Sequence, residues 1–318
     1  MRRIIRHTLK NGSAVILVLL MLAGIVFVRN FATIDNGAII ARQSAIPSIA
    51  VLGMTMVLMT GGIDLSLGFV VGLASIATGF MAKVWGLPIG LTVAATVLLG
   101  SLVGLLNGAI IQYMKVPPFI TTLGTGYILY GVSQLISAGN VITRLPPSLL
   151  AVGRTDFLGL PTSVFIAVGV TALGWFLVHK TVFGRALSAF GFNPRAAFLS
   201  GLPTARVNVV TYVLCSSLAA LAGLLLTIRV NAAQPNMGGG IFTFEIITAA
   251  IVGGTSLFGG IGSVIGSLFG VLIMKVIENC INLMNISYHL YLAVQGGIIL
   301  IVIVIDKIRN RTLGGSKR

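Results

Sequence analysis

Long apolar runs make up most of the chain, and polar residues are confined to short stretches between them. A helix needs about 20 mostly apolar residues to cross the hydrocarbon core of a bilayer. The pattern therefore predicts an all-α polytopic membrane protein of about ten transmembrane helices, some of them broken or re-entrant. The predicted spans are 13–28, 44–60, 65–82, 88–113, 119–138, 161–179, 207–228, 244–258, 261–279 and 288–305.

Two neighbouring pairs of spans are separated only by short, glycine-rich segments. Gly61-Gly62 separates the second span from the third, and Gly259-Gly260 separates the eighth from the ninth. Corresponding breaks in two halves of a chain are typical of transporters, where they tend to line the pathway. An internal repeat is one interpretation. The alternative is that a chain with 40 glycines produces such matches by chance.

Glycines also recur every four residues within single spans, which keeps them on one helix face. Such a face lets another helix approach closely, so these glycines predict tight helix packing and carry no information about substrate. The two series are Gly100, Gly104, Gly108 and Gly262, Gly266, Gly270.

Composition agrees with a membrane location. Of the 318 residues, 56% are hydrophobic and only 8% are charged, and the mean hydropathy is +1.05. Soluble domains carry about 25% charged residues, so a soluble protein is excluded. The two cysteines, Cys215 and Cys280, lie in apolar segments and are interpreted as small buried hydrophobic residues.

The net charge of +15 raises the question of nucleic-acid binding. The basic residues cluster at the termini and in short loops, as the positive-inside rule requires, so no nucleic-acid partner is expected. Fourteen of the 21 basic residues fall in segments that are predicted to lie on the same side of the membrane as the N-terminus. We therefore expect one transmembrane domain, 1–318, with an even number of spans and both ends on the cytoplasmic side. Eight spans would satisfy this charge bias as well as ten. The segments 1–12, 184–206 and 306–318 are predicted to be cytoplasmic.

Acidic residues within the spans need an explanation, because a charge facing lipid costs several kcal/mol. Asp64, Glu245 and Glu278 are therefore expected to face the interior, a cavity or the interface. Asp64 is interpreted as a cap for the third span, with Ser66 in its first turn. A proton relay is the alternative, although the acids appear in the sequence as lone, unpaired groups.

No sequence pattern indicates an enzyme. The chain has no G-x-x-x-x-G-K-[ST] phosphate loop and no G-x-S-x-G nucleophile elbow. His7, His179 and His289 are far apart along the chain, so no metal site is expected. We predict a non-catalytic protein without a cofactor.

The segment 184–206 contains a short helix with both ends marked. Asn193 suits the N-cap, Pro194 the first helical position and Gly201 the position after the C-cap. A capped helix between two spans is either an interfacial helix or a docking helix for a cytoplasmic partner. Its residues are Asn193, Pro194, Arg195, Ala196, Ala197, Phe198, Leu199, Ser200 and Gly201.

Several stretches in this order resemble the permease subunits of ATP-binding-cassette (ABC) importers of the ribose and monosaccharide type. They are 31–36, the Thr-Gly-Gly-Ile-Asp-Leu-Ser motif within 51–68, 183–185, 193–202, and the Gly-Gly-Thr-Ser-Leu-Phe-Gly-Gly-Ile-Gly motif within 251–262. The residues taken as the structural motif are Gly61, Gly62, Asp64, Ser66, Glu245, Gly253, Gly254, Thr255, Gly259 and Gly260.

The resemblance implies a bacterial inner-membrane permease that works as a homodimer or heterodimer. It implies two kinds of partner, cytoplasmic ABC ATPase subunits and a periplasmic sugar-binding protein. It also implies that 193–201 is the coupling helix, which transmits movement of the ATPase to the channel. An ion-coupled secondary transporter of a small polar solute is the alternative; an intramembrane enzyme and a structural scaffold fit the residues less well. The polar residues expected along a sugar path, each of which could instead form interhelical hydrogen bonds, are Gln43, Thr60, Asn107, Gln134, Asn208 and Gln295.

Overall fold

Helices form nearly all of the regular structure in the computed structural model, which describes residues 12–157 and 159–314. The predicted cytoplasmic ends at 1–11 and 315–318 lie outside the described residues. The helices are α1 Gly12–Phe27, α2 Ile34–Met59, α3 Leu67–Gly79, α4 Ile89–Tyr113, α5 Pro118–Ser137, α6 Pro147–Arg154, α7 Thr162–Lys180, α8 Val182–Phe192, α9 Pro194–Leu199, α10 Thr204–Val230, α11 Gly239–Val252, α12 Val264–Leu283 and α13 Tyr288–Gly314.

Each of the ten predicted spans corresponds to a helix. Seven helices in the described part of the chain are long and apolar enough to cross a membrane: α2, α3 with its π-helical extension Phe80–Val84, α4, α5, α7, α10 and α12. Three shorter apolar helices, α1, α11 and His289–Val302 within α13, match the remaining spans. The all-α polytopic class is confirmed, whereas the count of ten crossings stays a prediction.

Several predicted boundaries are wrong: α13 continues to Gly314 instead of ending at 305, and α11 begins at Gly239 instead of 244. Helix α2 begins at Ile34, ten residues before the predicted start at 44, because its polar first turns hide it from a hydropathy argument. The Thr33 side chain caps it by accepting a hydrogen bond from the Asn36 N–H at 3.2 Å. Helix α11 ends at Val252 instead of 258, since Gly254 adopts a left-handed φ of 94° just beyond it.

The centre of the bundle is α10, which packs against α2, α3 and α4. The predicted glycine faces account for its closest contacts. A Cβ at Gly104 would overlap the carbonyl oxygen of Tyr212, and one at Gly108 would lie 2.9 Å from the Val209 Cα. Likewise, a Cβ at Gly270 would overlap the carbonyl of Ala249 on α11. Tight packing at both glycine series is therefore confirmed, but the predicted helix face is wrong for Gly262, which precedes α12 and packs against Met59 from the second break.

Two short strand pairs mark one end of the bundle. Ile142–Thr143 pairs antiparallel with Ala232–Ala233, which joins the chain after α5 to the end of α10. Asp156–Phe157 pairs with Leu160–Pro161 just before α7. The short helix α9 precedes the start of α10 and therefore lies at the other end. These two ends are called the strand end and the α9 end below.

The glycine contact predicts a position-specific effect of one added methyl group. Gly104→Ala should lower the melting temperature of the purified protein, because overpacking against backbone atoms costs about 1–3 kcal/mol. Gly90→Ala on the same helix meets nothing within 4 Å and should leave the temperature unchanged or slightly raised. Thermal unfolding in detergent measures both. Equal effects of the two variants would contradict the packing argument.

Candidate functional site

Helix α9 has the two ends that the sequence predicts. The Asn193 side chain accepts a hydrogen bond from the Ala196 N–H at 3.0 Å, and Pro194 occupies the first helical position. At the other end Gly201 has a φ of 79° and its N–H donates to the Phe198 carbonyl at 3.0 Å. The Leu202 N–H donates to the Ala197 carbonyl at 3.1 Å, which completes a Schellman motif. Both ends of α9 are therefore fixed by local hydrogen bonds.

The segment 184–206, in which the sequence predicts one short helix, is largely helical. Helix α8, Val182–Phe192, occupies its first half, and only the extended residue Asn193, with a φ of −161°, separates it from α9. The signal for α8 was present in the sequence. Its buried residues Gly184, Ala186 and Leu187 lie on one face of an amphipathic helix.

Helix α9 presents large apolar side chains to the outside. Phe198 and Leu199 are 66% and 76% exposed, and Phe192 at the end of α8 is 68% exposed. A groove of about 400 Å³ beside Phe198 is bordered by the basic residues Lys115 and Arg195. Clustered apolar residues rimmed by polar ones mark an interaction surface. Ala196 is exposed, whereas Ala197 is buried against the bundle.

Three glycines from separate segments meet directly behind α8. A Cβ at Gly191 of α8 would overlap the Met59 carbonyl at the end of α2, so no larger residue fits there. A Cβ at Gly259 would lie 2.8 Å from the Gly191 carbonyl and 3.0 Å from the Gly61 nitrogen. The Gly260 N–H donates to the Met59 carbonyl at 2.9 Å. The two helix breaks therefore contact each other and the element that carries α9.

The first break ends at a buried polar cluster formed by Asp64, Ser66 and Asn107, none of which has any exposed surface. One carboxylate oxygen of Asp64 accepts hydrogen bonds from the Ser66 N–H at 2.9 Å and the Ser66 hydroxyl at 2.5 Å. The Asn107 amide on α4 donates to the Ser66 hydroxyl at 2.9 Å. The Asp64 carboxylate thus bonds the Ser66 N–H just before α3. Ser66 itself occupies the N-cap position of α3 and is not, as had been expected, part of its first turn.

The second break is fixed through hydroxyl groups. The Gly254 N–H donates to the Ile251 carbonyl at 2.8 Å, and a Cβ at Gly253 would collide with the backbone at Gly266. The buried Thr255 hydroxyl lies 3.2 Å from the hydroxyl of Ser267 on α12. Thr55 of α2 donates to the same Ser267 oxygen at 2.7 Å. One hydroxyl on α12 therefore links both segments that contain a break.

The other two acids in the spans are paired, although the sequence suggested that they were unpaired. Lys275 Nζ on α12 lies 2.7 Å from Glu245 Oε1 on α11 and 2.8 Å from Glu278 Oε2 on its own helix. The spacing of Lys275 and Glu278, three residues apart on one helix, was a signal for the second pair. No local pattern indicated the first pair, since its partners are 30 positions apart.

The structure does not bring the six expected path residues together. Asn107 belongs to the Asp64 cluster, and Asn208 donates to Gln112 Oε1 at 3.0 Å near the α9 end. Both therefore form interhelical hydrogen bonds, the alternative that the sequence left open. The other four are not seen to bond one another: Thr60 donates to the Val57 carbonyl at 2.6 Å, Gln134 donates to the Tyr130 hydroxyl at 2.8 Å, Gln43 is half-buried on α2, and Gln295 is buried on α13.

A multi-pass helical bundle with broken helices is typical of membrane transport proteins, and a short, capped, exposed helix at one end is compatible with that class. A family model described as "Branched-chain amino acid transport system / permease component" matches residues 36–303. The chain belongs to this family. No solved structure matches it.

Three curated relatives cover most of the chain. The ribose import permease protein RbsC of Bacillus subtilis is 39% identical over 84% of this chain and 83% of its own length. RbsC of Haemophilus influenzae is 33% identical over 95% and 94%, and the L-arabinose transport system permease protein AraH of Escherichia coli is 35% identical over 94% and 91%. The resemblance to permease subunits of monosaccharide-type ABC importers is confirmed.

The capping geometry of α9 predicts the effect of removing its first hydrogen bond. Asn193→Ala should destabilise the helix by about 1 kcal/mol and speed amide hydrogen exchange over Ala196–Ser200 by roughly fivefold. Asn193→Asp retains an oxygen that can accept the Ala196 N–H and should exchange at the wild-type rate. Hydrogen exchange followed by mass spectrometry of the full chain measures this. Unchanged exchange in Asn193→Ala would show that the cap does not hold the helix.

Proposed function

We propose that this chain is the membrane-spanning subunit of an importer that moves a monosaccharide of the pentose or related class, driven by separate ATPase subunits. The end-to-end similarity to relatives named for ribose and L-arabinose supports this assignment. The single observation that supports it most is the capped, outward-facing helix α9, since a self-contained transporter needs no such docking element.

The environment of the acids argues against ion coupling. An ion-driven transporter uses intramembrane acids that bind and release a cation or proton. In this chain Glu245 and Glu278 both lie within 2.8 Å of Lys275, and Asp64 accepts two hydrogen bonds from Ser66. Both glutamates are therefore already paired with Lys275, and one carboxylate oxygen of Asp64 is already bonded by Ser66, while its other oxygen is buried without a hydrogen-bond donor.

We assign the α9 end to the cytoplasm of a bacterial inner membrane. Lys115, Arg185, Arg195 and Arg206 all lie near α9, and the positive-inside rule places such residues on the cytoplasmic side. Phe198 and Leu199 would then enter a pocket of the ATPase. A periplasmic sugar-binding protein would meet the strand end, and a second permease subunit, identical or related, would complete the channel.

The contacts behind α9 suggest how a push from the ATPase reaches the spans. Helix α9 is rigid because both of its ends are capped, and one residue joins it to α8. Gly191 of α8 contacts the ends of both broken segments at Met59 and Gly259. A displacement of α9 would therefore act first where the helices are already interrupted and least resistant to bending.

A sugar is uncharged, so its path needs hydroxyl, amide and aromatic groups. All three kinds of group occur around Gln134. Its amide donates to the Tyr130 hydroxyl, and the Tyr130 ring lies 6.3 Å from the Phe69 ring on α3. Tyr127 lies 5.7 Å from the same Phe69 ring and is 63% exposed. Among the six residues expected along the path, Gln134 therefore has the surroundings that best suit contact with sugar.

The docking role of α9 predicts an uncoupled variant. Leu199→Glu should fold normally, because the side chain is 76% exposed, yet bind the ATPase roughly 30-fold more weakly, as expected for loss of a central apolar contact worth about 2 kcal/mol. Leu199→Met should bind like wild type. ATPase co-purification and ATP-dependent uptake in proteoliposomes provide the measurements. Full uptake by Leu199→Glu would count against docking through α9.

The energy source and substrate class are tested by uptake in cells. Uptake of labelled ribose or arabinose should persist when a protonophore collapses the ion gradient while ATP is maintained, and should stop when the ATPase gene is deleted. The wild-type chain and the Leu199→Glu variant are compared in the same strain. Uptake that follows the ion gradient would overturn the ATP-driven assignment, and failure of all monosaccharides to compete would overturn the substrate class.

A further inference from the structure

The carboxyl group of Asp64 lies inside the bundle with no exposed surface and no opposite charge beside it. Its neighbours are Asn107 on α4 and Tyr212 and Cys215 on α10, and none of these has any exposed surface either. Both ion pairs in the described part of the chain belong to Lys275. No basic side chain of that part therefore lies within 4.0 Å of the Asp64 carboxyl group.

An ionised Asp64 would be a buried charge with little to compensate for it. Moving an isolated carboxylate from water into an apolar interior costs far more than a hydrogen bond returns, so such a group takes up a proton instead. The two strong hydrogen bonds that Asp64 accepts, from the N–H and the hydroxyl of Ser66, both go to Oδ1. The Cys215 thiol also lies near the carboxyl group, but a thiol is a weak donor.

The hydrogen bonds around Ser66 show that the cluster lacks a hydrogen. The Ser66 hydroxyl has one hydrogen, which it donates to Asp64 Oδ1, so the Asn107 amide must turn its NH₂ group toward Ser66. That orientation leaves Asn107 Oδ1 as a buried acceptor without a donor, and Asp64 Oδ2 is a second one. An amide oxygen and a carboxylate oxygen can only accept, so neither can satisfy the other.

Tyr212 adds one hydrogen to the cluster, which is still one too few. Its hydroxyl has no hydrogen-bond partner in the structure and lies against Gly62, where an added Cβ would be 2.4 Å from the phenol oxygen. A phenol donates once, so it can serve Asp64 Oδ2 or Asn107 Oδ1 but not both. A proton on Asp64 Oδ2 turns that oxygen into a second donor, and small side-chain adjustments then allow all three oxygens to be bonded.

We propose that Asp64 is a neutral carboxylic acid, which keeps a proton on Oδ2 and donates it within the cluster formed by Asp64, Asn107 and Tyr212. The proton is a fixed part of the fold, since the acid has no exposed surface from which to exchange it. This role differs from a proton relay, because Asp64 does not need to ionise during transport. A neutral acid also lets the first helix break move without carrying a charge into new surroundings.

Infrared spectroscopy of the full-length chain in lipid tests the protonation directly. A chain with isotope-labelled aspartate should show the carbonyl band of a protonated acid at neutral pH, and Asp64→Asn should lack this band. Asp35 is an exposed aspartate in the first turn of α2, so the control variant Asp35→Asn should keep the band. Either Tyr212→Phe or Asn107→Leu should shift the band to higher frequency, because the acid then loses its acceptor.

Thermal unfolding and uptake test whether the acid must ionise. Asp64→Asn keeps the shape of the side chain, its oxygen can still accept from Ser66, and its N–H replaces the O–H donor. This variant should therefore melt near the wild-type temperature and support ATP-dependent uptake at the wild-type rate. Asp64→Ala removes the donor together with both Ser66 bonds and should melt at a clearly lower temperature.

Three results would overturn the proposal. The first is the absence of the protonated-acid band from the labelled wild-type chain, a measurement that requires no variant to fold. The second is a higher melting temperature in sodium than in choline buffer for the wild type but not for Asp64→Asn, which would indicate a bound metal cation. The third is a stably folded Asp64→Asn that has lost uptake. The infrared result does not depend on the transported solute, so it stands or fails separately from the proposed function.

Discussion

Backbone hydrogen bonding at the two helix breaks is the constraint on which the remaining structure depends. Inside a bilayer an unpaired backbone group costs several kcal/mol, because no water is present to bond it. The structure meets this requirement with groups from other segments. The Leu65 N–H donates to the Thr122 hydroxyl of α5 at 3.0 Å, and the Gly68 N–H donates to the Thr243 hydroxyl of α11 at 2.9 Å. The breaks therefore determine which helices must surround them.

The same constraint explains why the breaks lie together behind α8. The Gly260 N–H of the second break donates to the Met59 carbonyl of the first at 2.9 Å, so each break supplies a partner for the other. Only glycine at Gly191 lets α8 come close enough to contact both. Interrupted helices, a close backbone approach and the exposed, capped helix α9 therefore occur at one end of the bundle.

The features that the sequence predicted are those encoded within a few residues. The caps of α9 depend on Asn193, Pro194 and Gly201 and on hydrogen bonds no more than five residues apart, so composition and spacing were sufficient. The start of α2 was missed because the pairing that stabilises it is distant: the Asn36 and Asn279 side chains exchange two hydrogen bonds of 2.8 and 3.0 Å. Hydropathy treats Asn36 as a polar residue outside a span, whereas its partner on α12 makes it a buried one.

Helix α11 shows why the polar contacts of the site escaped prediction. Its 14 residues make about 21 Å of helix, which is shorter than the hydrocarbon core of about 30 Å, so it buries less apolar surface than a full span would. The Glu245–Lys275 pair fixes it to α12, and the close approach at Gly270 brings the two helices near enough for that pair to form. Removing the Lys275 charge would leave Glu245 poorly solvated and without its partner, at a cost of about 3–5 kcal/mol, whereas removing Glu245 would still leave Lys275 paired with Glu278. A short helix in a membrane bundle therefore needs a specific polar anchor, and such an anchor is recognisable only when both helices are in place.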